Sequence, residues 1–117
     1  MNGLRNVVHS LAERDAAEVV LVVSADGLPI DQSGETAVDL DALAALVPSL
    51  VHSADRLAEG TRWTQLGSAV LEYGERLLIV TVLRDGIHLV TVARPGSNIG
   101  ELLFDLDRHR PAIAALL

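Results

Sequence analysis

Apolar residues dominate positions 68–94 and fall into three runs separated by two short turn signals. The turn signals are Gly74-Glu75, which suits a type II′ hairpin loop, and Asp85-Gly86, which suits a type I′ loop. The stretch is therefore predicted to form a three-stranded antiparallel meander. Its register, counted from the two turns, gives two faces: Leu71, Tyr73, Leu78, Val80, Val82, Ile87, Leu89 and Ala93 on one, and Val70, Leu77, Ile79, Leu83, Val90 and Val92 on the other.

Both faces of this meander are apolar. A sheet with one face in water would alternate polar and apolar residues along each strand. We therefore expect helices or a partner protein to cover the sheet on both sides, because neither face can remain in contact with water.

The chain before the meander begins with a helical pattern and continues as a hairpin. An apolar stripe predicts a first helix and is formed by Leu4, Val7, Val8, Leu11 and Ala12. Residues Glu18 to Ser24 are predicted to be a buried strand, and Leu28 to Asp31 a second strand. Pro29 has no N–H to donate, so the second strand is placed at an edge of the sheet. Residues 32–38 are predicted to be a loop.

The longest predicted helix runs from Asp39 to Glu59 and ends at Gly60, with Asp39 or Asp41 as the predicted cap of its start. Its apolar positions span roughly 160° of the helix circumference, whereas a helix that packs on one surface needs roughly 100°. This central helix therefore has more apolar surface than one contact would use. Pro48 removes an internal hydrogen bond, at a cost of about 3 kcal/mol unless the bond is replaced. It is expected to bend the helix, and a split into two helices is the alternative.

The end of the chain is predicted to complete the sheet and add a last helix. Trp63 to Tyr73 is predicted to be a third strand with an exposed edge. Asn98, with Glu101 three residues later, is typical of a capping box at a helix start. The last helix has one apolar stripe, formed by Ile99, Leu102, Leu103, Leu106 and Ile113. Pro111 is expected to bend or end this helix.

The width of the predicted sheet leads to the expectation of a homodimer. Five strands about 4.8 Å apart make a sheet about 20 Å wide, whereas one helix covers about 10 Å. The first and last helices can cover one face together, which leaves the central helix alone on the other. A second copy would supply the missing helix, with the third strands meeting edge to edge. The predicted interface residues are Leu43, Leu46, Val47, Leu50, Val51, Ala54, Leu57 and Leu66. In the alternative monomer, residues 32–38 or a bent helix cover the gap.

Composition narrows the classes of function. The chain has 117 residues, 50% of them apolar, and a net charge of −7, which suits one domain over residues 1–117. Its nine basic residues are all arginines and are scattered, which argues against nucleic-acid binding. The lack of cysteine excludes thiolate chemistry, and the lack of lysine excludes a Walker-type phosphate loop. No apolar segment approaches the roughly 20 residues of a membrane helix, so a cytoplasmic protein without membrane contact is expected.

No pattern of residues points to catalysis, a metal or a cofactor. The four histidines lie on separate predicted elements: His9, His52, His88 and His109. This spacing does not suit a metal site, and His88 is interpreted as a sheet residue with satisfied hydrogen bonds. No nucleophile and base occur at a recognised spacing. The candidate partner-contact residues are His52 on the polar side of the central helix, and Arg56 and Arg62 near its end, since arginine is enriched at interaction hot spots.

The pairing of VVLVVSADGLPI (Val19 to Ile30) with a long Ala/Leu helix, then SAVLEYGERLLIVTVL and a closing strand and helix, resembles the Roadblock family. This family includes dynein light chains and bacterial gliding regulators that act on small Ras-like GTPases. The resemblance covers essentially the whole chain and implies a profilin-like α+β fold. That fold is a three-layer α/β/α sandwich with a five-stranded antiparallel sheet in the order 2-1-5-4-3. It also implies dimerisation through the central helix and the third strand.

Two classes of function follow from these observations. The first is a homodimeric, non-enzymatic regulator or scaffold that binds a small Ras-like GTPase and, in the activating members of the family, repositions the GTPase's own catalytic groups. The alternative is a cytoplasmic sensory or interaction module of the GAF or PAS kind, which needs an internal ligand pocket. Branched aliphatic residues fill the predicted sheet faces and the chain has three aromatic residues, so the first class is favoured.

Overall fold

Five strands pair in one antiparallel sheet in the order β2-β1-β5-β4-β3. A computed structural model describes residues 17–117 together with Asn6 and Ser10. The strands are β1 (Ala17–Val23), β2 (Pro29–Gly34), β3 (Ser68–Tyr73), β4 (Arg76–Arg84) and β5 (Ile87–Ala93), and the helices are α1 (Leu40–Leu57) and α2 (Ile99–Ala115). The predicted sheet order is confirmed, and the predicted first helix, Leu4 to Ala12, lies outside the described residues.

The two helices pack on opposite faces of the sheet. The core under α1 is formed by Leu21, Val23, Val80 and Val90 of the sheet and Ala44, Val47 and Val51 of the helix. The core under α2 is formed by Ala17, Val20, Val22, Ile79, Leu89 and Ala93 of the sheet and Leu102, Leu106 and Ile113 of the helix. Strands β1 and β5 supply both cores, which explains their nearly continuous apolar sequences. The predicted three-layer α/β/α sandwich is confirmed.

The predicted hairpin turns form, but one bulge changes the register. Asp85 and Gly86 have φ angles of 52° and 78°, as a type I′ turn requires. The β4–β5 ladder then shifts between Val82 and Arg84, so that Val82 lies opposite His88. In a ladder without the shift, Leu89 would lie opposite Val82. A bulge moves every later side chain to the other face.

This shift corrects the predicted faces of β5. Leu89 and Ala93 belong to the α2-side core with Ile79, and Val90 belongs to the α1-side core with Val80. The sequence-based faces had the opposite assignment and were wrong for this strand. Both faces are equally apolar, so the hydrophobic pattern alone could not reveal the shift.

Two strand boundaries also differ from the prediction. Strand β2 continues to Gly34 and pairs with β1 along its length, from Pro29 opposite Val23 to Gly34 opposite Val19. Its polar residues were mistaken for a loop, although an edge strand tolerates them. Strand β3 begins at Ser68 and not at Trp63, because residues 58–67 form a separate hydrogen-bonded loop.

Both helix starts are capped as predicted, and both prolines lie inside continuous helices. The Asp39 side chain accepts a hydrogen bond from the Ala42 N–H at 3.1 Å, and Asn98 accepts one from the Glu101 N–H at 3.1 Å. Pro48 does not split α1, and α2 continues past Pro111 to Ala115. The single-helix interpretation is therefore correct, although α1 ends at Leu57 and not at the predicted Glu59.

Gly34 offers a test of the close packing of β2 on β1. A Cβ atom at Gly34 would lie 2.3 Å from the Glu18 carbonyl oxygen and 2.8 Å from the Val19 Cα, at a φ of +112°. Gly74 also has a positive φ, but a Cβ there would meet no atom within 4 Å. We expect Gly34→Ala to lower the free energy of unfolding by about 3 kcal/mol and Gly74→Ala by about 1 kcal/mol.

Urea denaturation of the two variants measures the difference. Both substitutions place Ala at a positive φ, which is more strained at the +112° of Gly34 than at the +62° of Gly74, so the excess at Gly34 combines this strain with the steric conflict with β1. Equal losses in the two variants would contradict the close approach of the two strands.

Candidate partner-binding surface

A row of leucines follows one side of α1. Buried Ala44, Val47 and Val51 face the sheet, and Leu46 and Leu57 lie roughly 120° around the helix from them. Leu46 and Leu57 are 67% and 79% exposed. Half-buried Leu43 and Leu50 lie between the exposed and buried sides. We call Leu43, Leu46, Leu50 and Leu57 the leucine flank.

An open apolar cleft adjoins the leucine flank. The cleft has a volume of about 350 Å³ and is lined by Val38, Leu43, Tyr73, Arg76, Leu77, Leu78 and Val92. Leu43 belongs to both features, and Tyr73 brings the cleft to the edge strand β3. An ion pair closes its rim, with the Arg76 guanidinium 2.5 Å from a Glu18 carboxylate oxygen. The other Glu18 oxygen accepts a hydrogen bond from Thr36 Oγ1 at 2.6 Å. Part of the sheet beside α1 is therefore apolar and uncovered.

The eight predicted interface residues fall into three groups in the described structure. Val47 and Val51 are buried in the core of the subunit itself. Leu43, Leu50, Ala54 and Leu66 are half-buried, and Leu46 and Leu57 are exposed. The exposed pair and its half-buried neighbours are thus the part of the prediction that a second molecule could reach.

The three predicted partner-contact residues are all exposed. His52 and Arg56 lie one turn apart on α1, and Arg62 lies in the loop that follows. None of the three side chains forms an ion pair with another residue in the described part of the chain. Their polar groups are therefore available to a partner.

The loop of residues 58–67 was not predicted, and it presents the only tryptophan of the chain. Trp63 is 75% exposed and lines a notch of about 260 Å³ with Asp55, Ala58, Glu59, Thr64 and Gln65. Trp63 was predicted to begin the third strand, because residues with a high strand propensity surround it. The available signal was Gly60, which has a φ of +81° and is followed at once by Thr61, a residue that stabilises turns.

His88 lies in the sheet as predicted, but its hydrogen bonding is incomplete. The residue is only 4% exposed, and its Nδ1 has no hydrogen-bond partner. The interpretation of His88 as a satisfied sheet residue was wrong in this respect. Burial lowers the pKa of His88, and the nearby Asp55 carboxylate offsets this only in part. The neutral imidazole is therefore the favoured form in the folded protein.

No three potential metal ligands of the His, Cys, Asp or Glu type come together in residues 17–117. The Asn98 side chain at the start of α2 acts as a helix cap. In the same part of the chain, no helix has the length and apolar content to cross a membrane.

Comparison with known proteins identifies the family and the fold. A family model described as the Roadblock/LC7 domain matches residues 4–93. MglB from Myxococcus xanthus superposes with a TM-score of 0.87 at 19% identity, covering 97% of this chain and 93% of that one. The gliding protein MglB from Thermus thermophilus gives a TM-score of 0.85 at 20% identity, with 97% and 87% covered. A Roadblock/LC7 domain from Streptomyces avermitilis gives 0.76 at 21% identity, with 90% and 92% covered. No curated protein matches the chain.

The buried His88 predicts a pH dependence of stability. Its pKa is lowered in the folded state, so the unfolded chain binds a proton more readily as the pH falls through the ordinary histidine value near 6.5. The free energy of unfolding should therefore fall with decreasing pH below about 7, by at most about 1.4 kcal/mol per pH unit for this one proton.

Urea denaturation between pH 7.5 and 5.5 separates His88 from other titrating groups. His88→Leu should remove part of the pH dependence, whereas a substitution of the exposed His52 by Asn should retain it. An unchanged pH profile in His88→Leu would show that the buried imidazole does not control this behaviour.

Proposed function

The chain belongs to the Roadblock/LC7 family, and on this basis we propose that it is a homodimeric regulator or scaffold that binds a small Ras-like GTPase. In this proposal the protein acts in the cytoplasm and contributes no catalytic residue of its own. It would hold the GTPase in one conformation, or position the catalytic groups of the GTPase, by contact alone.

The leucine flank beside the apolar cleft is the observation that carries the homodimer. Leu46 and Leu57 are largely in water, and the cleft next to them is lined almost entirely by apolar side chains. A second α1 packed against this flank would fill the space at an ordinary helix separation of about 8–10 Å. A two-fold axis would give both copies the same contact, and β3 lies at the sheet edge where the two sheets would meet.

The GTPase partner is supported by similarity over the whole chain. The match to the gliding protein MglB covers 97% of this chain, so the likeness is not limited to a common substructure. An MglB with a tetrameric arrangement also superposes, with a TM-score of 0.86 at 20% identity and 96% and 85% covered. On this chain, His52, Arg56 and Arg62 supply exposed polar groups near the end of α1, which suit a protein partner.

Charge placed on the leucine flank tests the homodimer. Leu46→Glu and Leu57→Glu would each bury a carboxylate in an apolar contact, so we expect dimerisation to weaken at least about a hundredfold. Phe104→Glu is the matched control, because Phe104 is also 62% exposed but lies on α2. Sedimentation velocity should find dimers for the parent protein and Phe104→Glu, and monomers for the two flank variants. A parent protein that sediments as a monomer at tens of micromolar would contradict the proposal.

Capture of a GTPase tests the second half of the proposal. The tagged protein should retain a small Ras-like GTPase from extracts of its native host. Hydrolysis rates of that GTPase, measured with and without the protein, then separate a scaffold from an activator. If none of the host's Ras-like GTPases binds in either nucleotide state, the GTPase assignment is wrong.

A further inference from the structure

The loop of residues 58–67 holds Trp63 in a fixed position at the surface. The loop begins with a turn in which the Thr61 N–H and hydroxyl both donate to the Ala58 carbonyl. The Trp63 N–H then donates to Thr61 Oγ1 at 3.0 Å. These hydrogen bonds follow one another along the chain, and together they fix the backbone of residues 58–63.

The end of the loop is fixed by residues from other elements. Asp55 Oδ1 accepts the Leu66 N–H at 2.9 Å, which attaches the loop to α1. The Gly67 carbonyl accepts hydrogen bonds from the Val82 N–H at 2.9 Å and from Arg110 Nη2 at 3.0 Å. The loop is therefore attached to α1, β4 and α2, and a partner would not have to order it on binding.

The Trp63 side chain is mostly exposed, although the backbone of its loop is hydrogen-bonded to the rest of the subunit. Trp63 is one of the two most exposed large apolar residues in the described structure, at 75%, and the other is Leu57. A tryptophan that is mostly in water contributes little packing energy to its own subunit. Tryptophan is also the residue most enriched at interaction hot spots, together with tyrosine and arginine.

The position of Trp63 separates it from the leucine flank. Its notch is lined by Asp55 and Ala58 of the α1 end. Asp55 lies roughly 160–180° around the helix from Leu46 and Leu57. A second copy packed on the leucine flank therefore approaches α1 from the side away from Asp55, and the proposal below requires that Trp63 remain in water in that dimer.

The charges around Trp63 indicate the chemistry of the partner. Arg56 and Arg62 are exposed and have no ion pair within the described residues. Asp55 and Glu59 line the notch, and the Asp55 carboxylate already accepts the Leu66 N–H. Arg62 directly precedes Trp63 in the chain, and Arg56 directly follows Asp55, which lines the notch. The two arginines suit a partner with carboxylates around an apolar pocket.

We propose that Trp63 is the anchor through which the protein docks on its GTPase: the indole enters an apolar pocket of the partner, and Arg56 and Arg62 pair with carboxylates at the rim of that pocket. This inference rests on the proposed function and names the surface that performs it. Dimerisation then uses the leucine flank and docking uses Trp63, so that each subunit of a dimer presents one anchor.

Binding of the host's Ras-like GTPases, each loaded with GDP or a non-hydrolysable GTP analogue, tests the proposal. Trp63→Ala should weaken binding at least about thirtyfold, and Arg56→Gln and Arg62→Gln several-fold each. Phe104→Ala removes an exposed aromatic residue from α2, and Arg94→Gln an exposed arginine that follows β5. Both controls should bind within about twofold of the parent protein. Sedimentation should show that Trp63→Ala still dimerises.

Each outcome of this experiment decides at least one of the two proposals. If a GTPase binds the parent protein and Trp63→Ala equally well, the anchor is overturned and the proposed function stands. If no GTPase binds the parent protein, both are overturned. If Trp63→Ala is monomeric, the second copy uses the indole and the separation of the two surfaces is wrong.

Fluorine NMR of the protein labelled with 5-fluorotryptophan supplies an independent measurement. The chain has one tryptophan, so the spectrum has one resonance. That resonance should stay unchanged when the protein is diluted through its monomer–dimer equilibrium and should shift on addition of the GTPase. A shift on dilution, or no shift at saturation with the GTPase, would contradict the anchor.

Discussion

A sheet that is apolar on both faces must be covered on both faces, and this requirement determines the architecture. The central strands β1 and β5 are buried on both sides, one side under α1 and the other under α2. A helix of about 10 Å cannot cover a sheet of about 20 Å. On the α1 side the difference remains visible as the apolar cleft and the exposed leucines of α1, and the proposed dimer follows from that uncovered area.

Features that depend on neighbouring residues could be predicted from the sequence. The caps at Asp39 and Asn98 each need one side chain and one N–H three residues later, and the Asp85-Gly86 turn needs two residues that tolerate a positive φ. The order of elements and the three layers followed from hydrophobic periodicity. The family resemblance supplied the sheet order, which periodicity does not contain.

Features that depend on distant residues could not be predicted. The bulge in β4 reverses which side chains of β5 face α1 and which face α2. Because both sets are apolar, the sequence shows no penalty for either register. Residues 58–67 leave the strand pattern because Asp55, Val82 and Arg110 satisfy their backbone groups. These partners come from three different elements. The buried Nδ1 of His88 is likewise a result of packing under α1, which a single histidine in a strand does not reveal.

The structure divides the surface around α1 into two regions with different properties. The leucine flank and its cleft are apolar and continuous with the edge strand, which suits a self-complementary contact. Near the end of α1, a hydrogen-bonded loop carries the exposed Trp63 indole. Arg56 and Arg62 are exposed there and form no ion pair among the described residues, which suits a contact with a different protein. A scaffold needs both properties at once, because dimerisation must not consume the surface that holds the partner.

The distance between α1 helices of two copies tests the central claim most directly. The chain has no cysteine, so Ser49→Cys, which is exposed on α1 and lies roughly 60–80° around the helix from Leu46 and Leu57, gives one site for a nitroxide label. Adjacent helices about 8–10 Å apart predict one narrow interspin distance on the order of 20–30 Å, allowing for the length of two labels. Pulsed electron–electron double resonance should detect this distance at micromolar concentration. Absence of dipolar coupling would contradict the account, since the apolar surface beside α1 would then be covered by the subunit itself.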